Sequence, residues 1–260
     1  MRIFKFAVCF FLALTLQAAE PAKRELGSIE SGGVVPHIAV GGDTWSTDFD
    51  IICLENSAQP FTLSFYDSQG DAMALELYDE NGQFIGSKVS HTGVVPQQGA
   101  IFLRTRNTGA VLKQGYAVLE NTDSRNVGVT AIITNSFAGQ ANLRASVPAL
   151  NTFNHRLRLP FTNTNGFNTC IAFRSDAPAA TQNIQVTAMD ASGGQLGTPH
   201  LMTLQAGWHT AFCLWEILPD TVGRVGVVDV TTNTGITGIA FTFDPNGRFW
   251  TQIPYDVDLF

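Results

Sequence analysis

Five histidines, at positions 37, 91, 155, 200 and 209, are the first residues to examine for chemistry. None lies in an H-E-x-x-H or close H-x-H arrangement, so a zinc or copper site would need ligands converging from distant strands. His209, between Trp208 and Thr210, is the most promising general base, although its setting reads first as a half-buried strand histidine. Nucleophilic hydrolysis lacks its G-x-S-x-G elbow. The Asp and Glu residues form no marked glycosidase pair, and no phosphate-binding glycine loop precedes a helix. The residues therefore nominate no catalytic, cofactor-binding or metal-ligating set. A hydrolase with an interdomain site stays only as an alternative.

Asp67 to Gly70, Asp79 to Gly82, Asp190 to Gly193 and Asp244 to Gly247 share a D-x-x-G spacing. Calcium favours clustered oxygen ligands, but these segments lack the alternating acids and late Glu of a calcium loop. The spacing better fits a turn, with Asp capping it and Gly in the left-handed position. Asp48, Asp50 and Glu55 form a second oxygen-rich group, which a solvated strand face explains equally well.

The four tryptophans are Trp45, Trp208, Trp215 and Trp250. Aromatic platforms stack on sugars, which makes Trp215, Trp250, Trp208 and His209 the candidate ligand contacts of a carbohydrate-binding module. Trp45 opens a strand and is expected in the core. Among the cysteines, Cys53, Cys170 and Cys213 follow the leader, with no C-x-x-C. Cys170 and Cys213 can bridge in an oxidising compartment. Packing of all three as small hydrophobic residues is the alternative, and the residues alone lean toward it.

That leader is residues 1–19. Arg2 and Lys5 precede the uncharged apolar run Phe6 to Leu16, and Ala18 and Ala19 offer a small-residue cleavage site. The run is too short to span a bilayer, so the expected destination is secreted, either extracellular or periplasmic. Cleavage removes two positive charges and takes the formal charge from −7 to −9. An acidic chain without a Lys/Arg cluster is a poor partner for nucleic acid or anionic lipid. Protein or glycan partners at the cell exterior remain open.

The elements that would carry these residues are strands. Apolar residues make up 45% and charged residues 14%, with 24 Gly and no long helix-forming stretch. Phe49, Ile51 and Cys53 alternate with more polar neighbours, as do Phe61, Leu63 and Phe65, and Ile184, Val186 and Ala188. Leu214 to Leu218, before Pro219, offers one helical turn at most. An ordered series of matches runs through both halves: Trp45-Ser46-Thr47 with Phe167-Asn168-Thr169, Tyr78 to Gly82 with Met189 to Gly193, Gly115 to Val118 with Gly226 to Asp229, and Gly128 to Ile132 with Gly235 to Ile239. The turn at Asp67 fits the Asp190 turn almost as well, which allows an extra hairpin in the first half. The period is about 110 residues, an ordinary domain size. The expected plan is all-β. A flexible segment over 20–33 precedes two tandem immunoglobulin-like antiparallel β-sandwich domains at 34–149 and 150–260, each large enough to fold alone.

Several of these segments resemble a known group. They are Gly41-Gly42-Asp43-Thr44-Trp45-Ser46-Thr47, Gly115-Tyr116-Ala117, Ala145-Ser146-Val147-Pro148, Leu159-Pro160-Phe161-Thr162-Asn163 and Gly207-Trp208-His209-Thr210-Ala211-Phe212. Together they resemble tandem β-sandwich repeat units of large secreted bacterial proteins of undefined activity. The resemblance implies extracellular repeats for display, adhesion or matrix association, and no reaction. The expectation is a non-enzymatic structural, adhesion or interaction module.

Overall fold

The computed structural model describes residues 32–107, 109–120, 127–136, 143–150, 154–177 and 181–256. The leader and most of the 20–33 segment lie outside them. The chain is nearly all β, in antiparallel sheets packed face to face.

The first half supplies β1 (Gly32–Val40), β2 (Trp45–Cys53), β3 (Gln59–Asp67), β4 (Leu75–Tyr78), β5 (Phe84–Lys88), β6 (Ser90–Val95), β7 (Ala100–Leu103), β8 (Lys113–Glu120), β9 (Val127–Asn135) and β10 (Leu143–Pro148). One sheet runs β1-β8-β3-β6 and the other β10-β9-β2-β7, with β4-β5 as a separate hairpin. The alternation in β2 and β3 resolves as expected: Phe49 and Ile51 from one sheet meet Phe61, Leu63 and Phe65 from the other, all buried.

The second half supplies β11 (Asn154–Thr162), β12 (Asn168–Ser175), β13 (Gln182–Asp190), β14 (Gln195–Leu204), β15 (His209–Cys213), the single turn α1 (Leu214–Ile217), the long β16 (Val225–Phe243), β17 (Phe249–Gln252) and β18 (Tyr255–Asp256). Strand β16 belongs to two layers. Its first part pairs with β11 and β13, and its last part with β12 and β17. The layers thus run β11-β16-β13-β14 and β17-β16-β12-β15, the order of β1-β8-β3-β6 and β10-β9-β2-β7 in the first half.

Equivalent positions do the same work in both halves. Thr47, fully buried, accepts the Ala39 N–H through Oγ1 at 3.1 Å and donates to the Ala39 carbonyl at 2.8 Å. Thr169, also fully buried, makes the same pair of bonds to Thr162 at 2.9 and 3.2 Å. Each ties a strand to the one that follows it. Gly115 lies opposite Asp67, and Gly226 lies opposite Asp190. A Cβ on either would sit 1.9 Å from a carbonyl oxygen, of Tyr66 or of Met189, so only glycine fits.

The D-x-x-G segments are four copies of one turn. In each, the Gly N–H donates to the Asp carbonyl, and the Asp Oδ1 accepts two further backbone N–H groups, two and four residues on. The glycines have φ between 77° and 87°, the left-handed region the turn requires. The turn after β3 is the one at Asp67, as the turn after β13 is the one at Asp190. The Asp79 turn closes the additional β4-β5 hairpin instead.

The layer β15-β12-β16-β17 is covered on both faces. One face carries Ile171, Phe173, Phe212 and Ala240 into the second half's core. The other carries Ala172, Ile239 and Phe241, with Phe249, into the first half's core. The expectation that each half closes its own core is therefore incomplete, because the first core is finished by residues from the second half. This layer meets the first half along its edge strands, β12 and β16 against β1, and β17 against β10.

Candidate functional site

The densest set of buried titratable groups lies on this seam. Pro36 cannot donate a ladder hydrogen bond, and the β1–β8 register shifts between Val35 and Ile38. His37 sits in that bulge and is buried. Its Nδ1 lies 3.1 Å from Nε2 of His209, the first residue of β15. The rings stack with centroids 5.2 Å apart, and Phe241 packs its edge against His37. On its other side, His209 Nδ1 lies 3.4 Å from Ser68 Oγ, and its backbone N–H donates to the Ser68 carbonyl.

Cross-strand register places three side chains in a row beside this pair. His209 is opposite Arg174 on β12, and Arg174 is opposite Thr237 on β16. Arg174 is 2% exposed, and its guanidinium carbon lies 4.7 Å from the centre of the Tyr116 ring. Tyr116 in turn stacks on Tyr66. Arg174 Nη1 faces Asp176 Oδ1 at 3.5 Å, and Asp176 Oδ2 accepts a 2.6 Å hydrogen bond from Thr237 Oγ1. Gly70 and Gly207 stand back to back nearby, since a Cβ on Gly70 would lie 3.0 Å from the Gly207 carbonyl oxygen.

Burial dominates the protonation of the cluster. It lowers His37 to about 4 and holds His209 well below the ordinary imidazole range, with the His37 ring adding to the effect on His209. It raises Asp176 to about 6, against the pull of Arg174 and Thr237. It raises the Tyr116 hydroxyl to about 12, against Arg174. Near neutral pH the pair is therefore two uncharged imidazoles sharing one hydrogen bond.

A serine beside a histidine invites comparison with a hydrolase, but the parts are wrong. The base is desolvated far from the useful range near the working pH. The neighbouring backbone N–H groups of Gln69, Gly70, Gly207 and His209 are all already donating, so none is left to hold an oxyanion. The arrangement joins the first half to the second through His37, Ser68 and His209.

The other candidate residues do not join the histidine cluster. Trp208 is half-buried and packs on the second core. Trp215 on α1 and Trp250 on β17 are 42% and 44% exposed, and Trp250 makes an edge contact with Phe167. Trp45 is half-buried against the first core, where it meets Phe249. Cys170 and Cys213 are opposite one another on β12 and β15, and their sulfurs are bonded. The possible bridge thus forms as a cross-strand disulfide, although the residues alone leaned toward packing, and among the described cysteines Cys53 stays free and buried. Asp48 pairs with Arg104 at 2.9 Å, and Asp50 lies 3.6 Å from the same Arg, so an ion pair accounts for both.

A second surface, of mixed polar and apolar lining, lies on the outer face of the second half. Asn183 and Gln185 of β13, Leu201 and Thr203 of β14, and Thr231 and Asn233 of β16 line a shallow trough of about 740 Å³. Beside it, Asp229 accepts hydrogen bonds from both Arg156 and Arg158. Among the described residues no helix is long and apolar enough to cross a membrane.

Sequence reasoning found His209 but not His37, Ser68, Arg174 or Asp176. His37 and His209 are 172 residues apart, and no local spacing signals such a pair. The one usable hint was Pro36 inside an otherwise apolar strand, which marks a bulge. No protein family matches the sequence, and no curated protein is similar to it.

Proposed function

We propose that this chain is a secreted, non-enzymatic structural or interaction module of the bacterial cell exterior, built from a duplicated immunoglobulin-like sandwich. The observation that carries this reading is how the buried polar groups are used. The His37–His209 pair joins one half to the other, and Arg174, held within the second half by Asp176 and its Thr237 partner, lies over the Tyr116 ring of the first. Duplication is supported by the matching strand orders and by the paired roles of Thr47 and Thr169, and of Gly115 and Gly226. Export is supported by the leader composition and by the Cys170–Cys213 bond, which suits an oxidising compartment.

The test is a screen of the purified mature chain against generic esterase, protease and glycosidase substrates. The reading expects no turnover. Turnover abolished by Ser68→Ala, with the fold retained, would reverse it.

A second reading, carbohydrate binding, is favoured by the half-exposed Trp215 and Trp250 and by the amide and hydroxyl lining of the trough. It expects glycan-array binding that Trp215→Ala or Trp250→Ala removes. A blank array eliminates it and leaves protein partners.

A further inference from the structure

We infer that the stacked, hydrogen-bonded pair His37–His209 is an acid-sensitive latch, which holds the two halves together near neutral pH and releases the seam in mildly acidic medium. The pair joins β1 of the first half to β15 of the second through one 3.1 Å N···N contact. Such a contact needs one ring N–H and one bare ring nitrogen. One added proton buries an imidazolium beside the Arg174 cation, and a proton on each ring turns both facing nitrogens into donors and sets two buried like charges against each other.

The surroundings sharpen this response. The charged side chain facing the pair from β12 is Arg174, already a buried cation. From β8 the pair meets Tyr116, on which Tyr66 of β3 stacks, and from the turn after β3 it meets Ser68, none of which brings a cation or a carboxylate. From β16 it meets Phe241, while Thr237 stands opposite Arg174. Asp176 is the carboxylate joined to this row, and its engagement is with Arg174 and Thr237. Its raised pKa of about 6 means that it takes up a proton more readily in the closed seam than in water, so it opposes release in part and the two rings outweigh it. Asp67 is spent on capping the turn beside Ser68, and β9 carries no charged residue. On β2, Asp48 and Asp50 are engaged by Arg104, and Arg144 of β10 is exposed.

Among the described residues other polar ties cross the seam at a handful of points, including the two backbone hydrogen bonds that Val34 exchanges with Leu150. Thr251 Oγ1 bonds the Ser146 carbonyl at the β10–β17 contact, and His209 N–H bonds the Ser68 carbonyl. Opening would uncover Phe241, Ile239 and Ala172, the residues that finish the first core.

Amide hydrogen exchange of the mature chain, resolved by segment and corrected for the intrinsic pH dependence, tests this. Between about pH 7.5 and about pH 5, protection of β1 and β15 should fall about tenfold or more, while β3 and β13 hold theirs. The double variant His37→Gln/His209→Gln should abolish the difference between the two pH values. If that variant does not fold, the ring Cε1 resonances of the wild type decide. Both rings titrating together with the loss of β1 and β15 protection supports the latch. Rings that titrate with protection unchanged, or protection lost equally in all four strands, overturn it.

Discussion

Single residues in this protein hold structure through groups that water never reaches, and the consequences are measurable. Thr169 Oγ1 satisfies both the N–H and the carbonyl of Thr162. Thr169→Val keeps the shape and leaves both groups unpaired, so it should cost about 2 kcal/mol in urea denaturation. The buried histidines make a second claim. His37 falls from 6.5 in the unfolded chain to about 4 in the fold, so the unfolded state takes up its proton first as pH drops. Stability from this group is complete above about pH 6.5 and declines by on the order of 3 kcal/mol toward pH 4. His209 acts in the same direction. Asp176 acts oppositely. Its folded value of about 6 lies above the 3.8 of the free side chain, so its contribution is present at low pH and lost as pH rises through 6. Two histidines against one aspartate predict a net decline in unfolding free energy between pH 6.5 and pH 4. His37→Gln/His209→Gln should flatten that decline or reverse it.

The elements divide into those legible in the sequence and those that tertiary burial disguises. The Asp-x-x-Gly turns, the one-turn helix at Leu214 and the alternation of β2, β3 and β13 were legible, because a strand with one wet face prints period two directly. In β12, Ile171 and Phe173 read as alternating with wetter neighbours, and that reading fails there, as period two also fails in the last part of β16. Their residues from Ile171 to Ser175 and from Ile236 to Thr242 are buried without alternation, as strands covered on both faces are. Nor was it legible that the Gly226 and Gly235 segments belong to one strand, since two matched patterns suggested two elements. The Asp67 and Asp79 turns were interchangeable in sequence, and only the pairing of Gly115 opposite Asp67 and Gly226 opposite Asp190 separates them. That glycine position supplies a test at this scale. Gly226→Ala drives a Cβ to 1.9 Å from the Met189 carbonyl oxygen and should cost several kcal/mol, on the order of other severe backbone clashes. Gly128→Ala, whose Cβ meets nothing within 4 Å, should leave the melting temperature nearly unchanged.

At the scale of the molecule, the second half lends one face of a layer to the first, so the two cannot be independent. Phe241 and Phe249 belong to the first core while Ala240 between their strands' neighbours belongs to the second. The histidine pair, the Arg174 row and the paired glycines Gly70 and Gly207 then fix the relative placement of the halves. The two halves thus form one body that holds the Asn183–Gln185–Thr231 trough on its outer face. The most direct test is segment-resolved hydrogen exchange during urea unfolding near neutral pH. Strands β3 and β9 of the first half and β12 and β13 of the second should lose protection at one common urea concentration. Two well-separated midpoints, with one half surviving intact after the other has unfolded, would contradict the shared core on which this account rests.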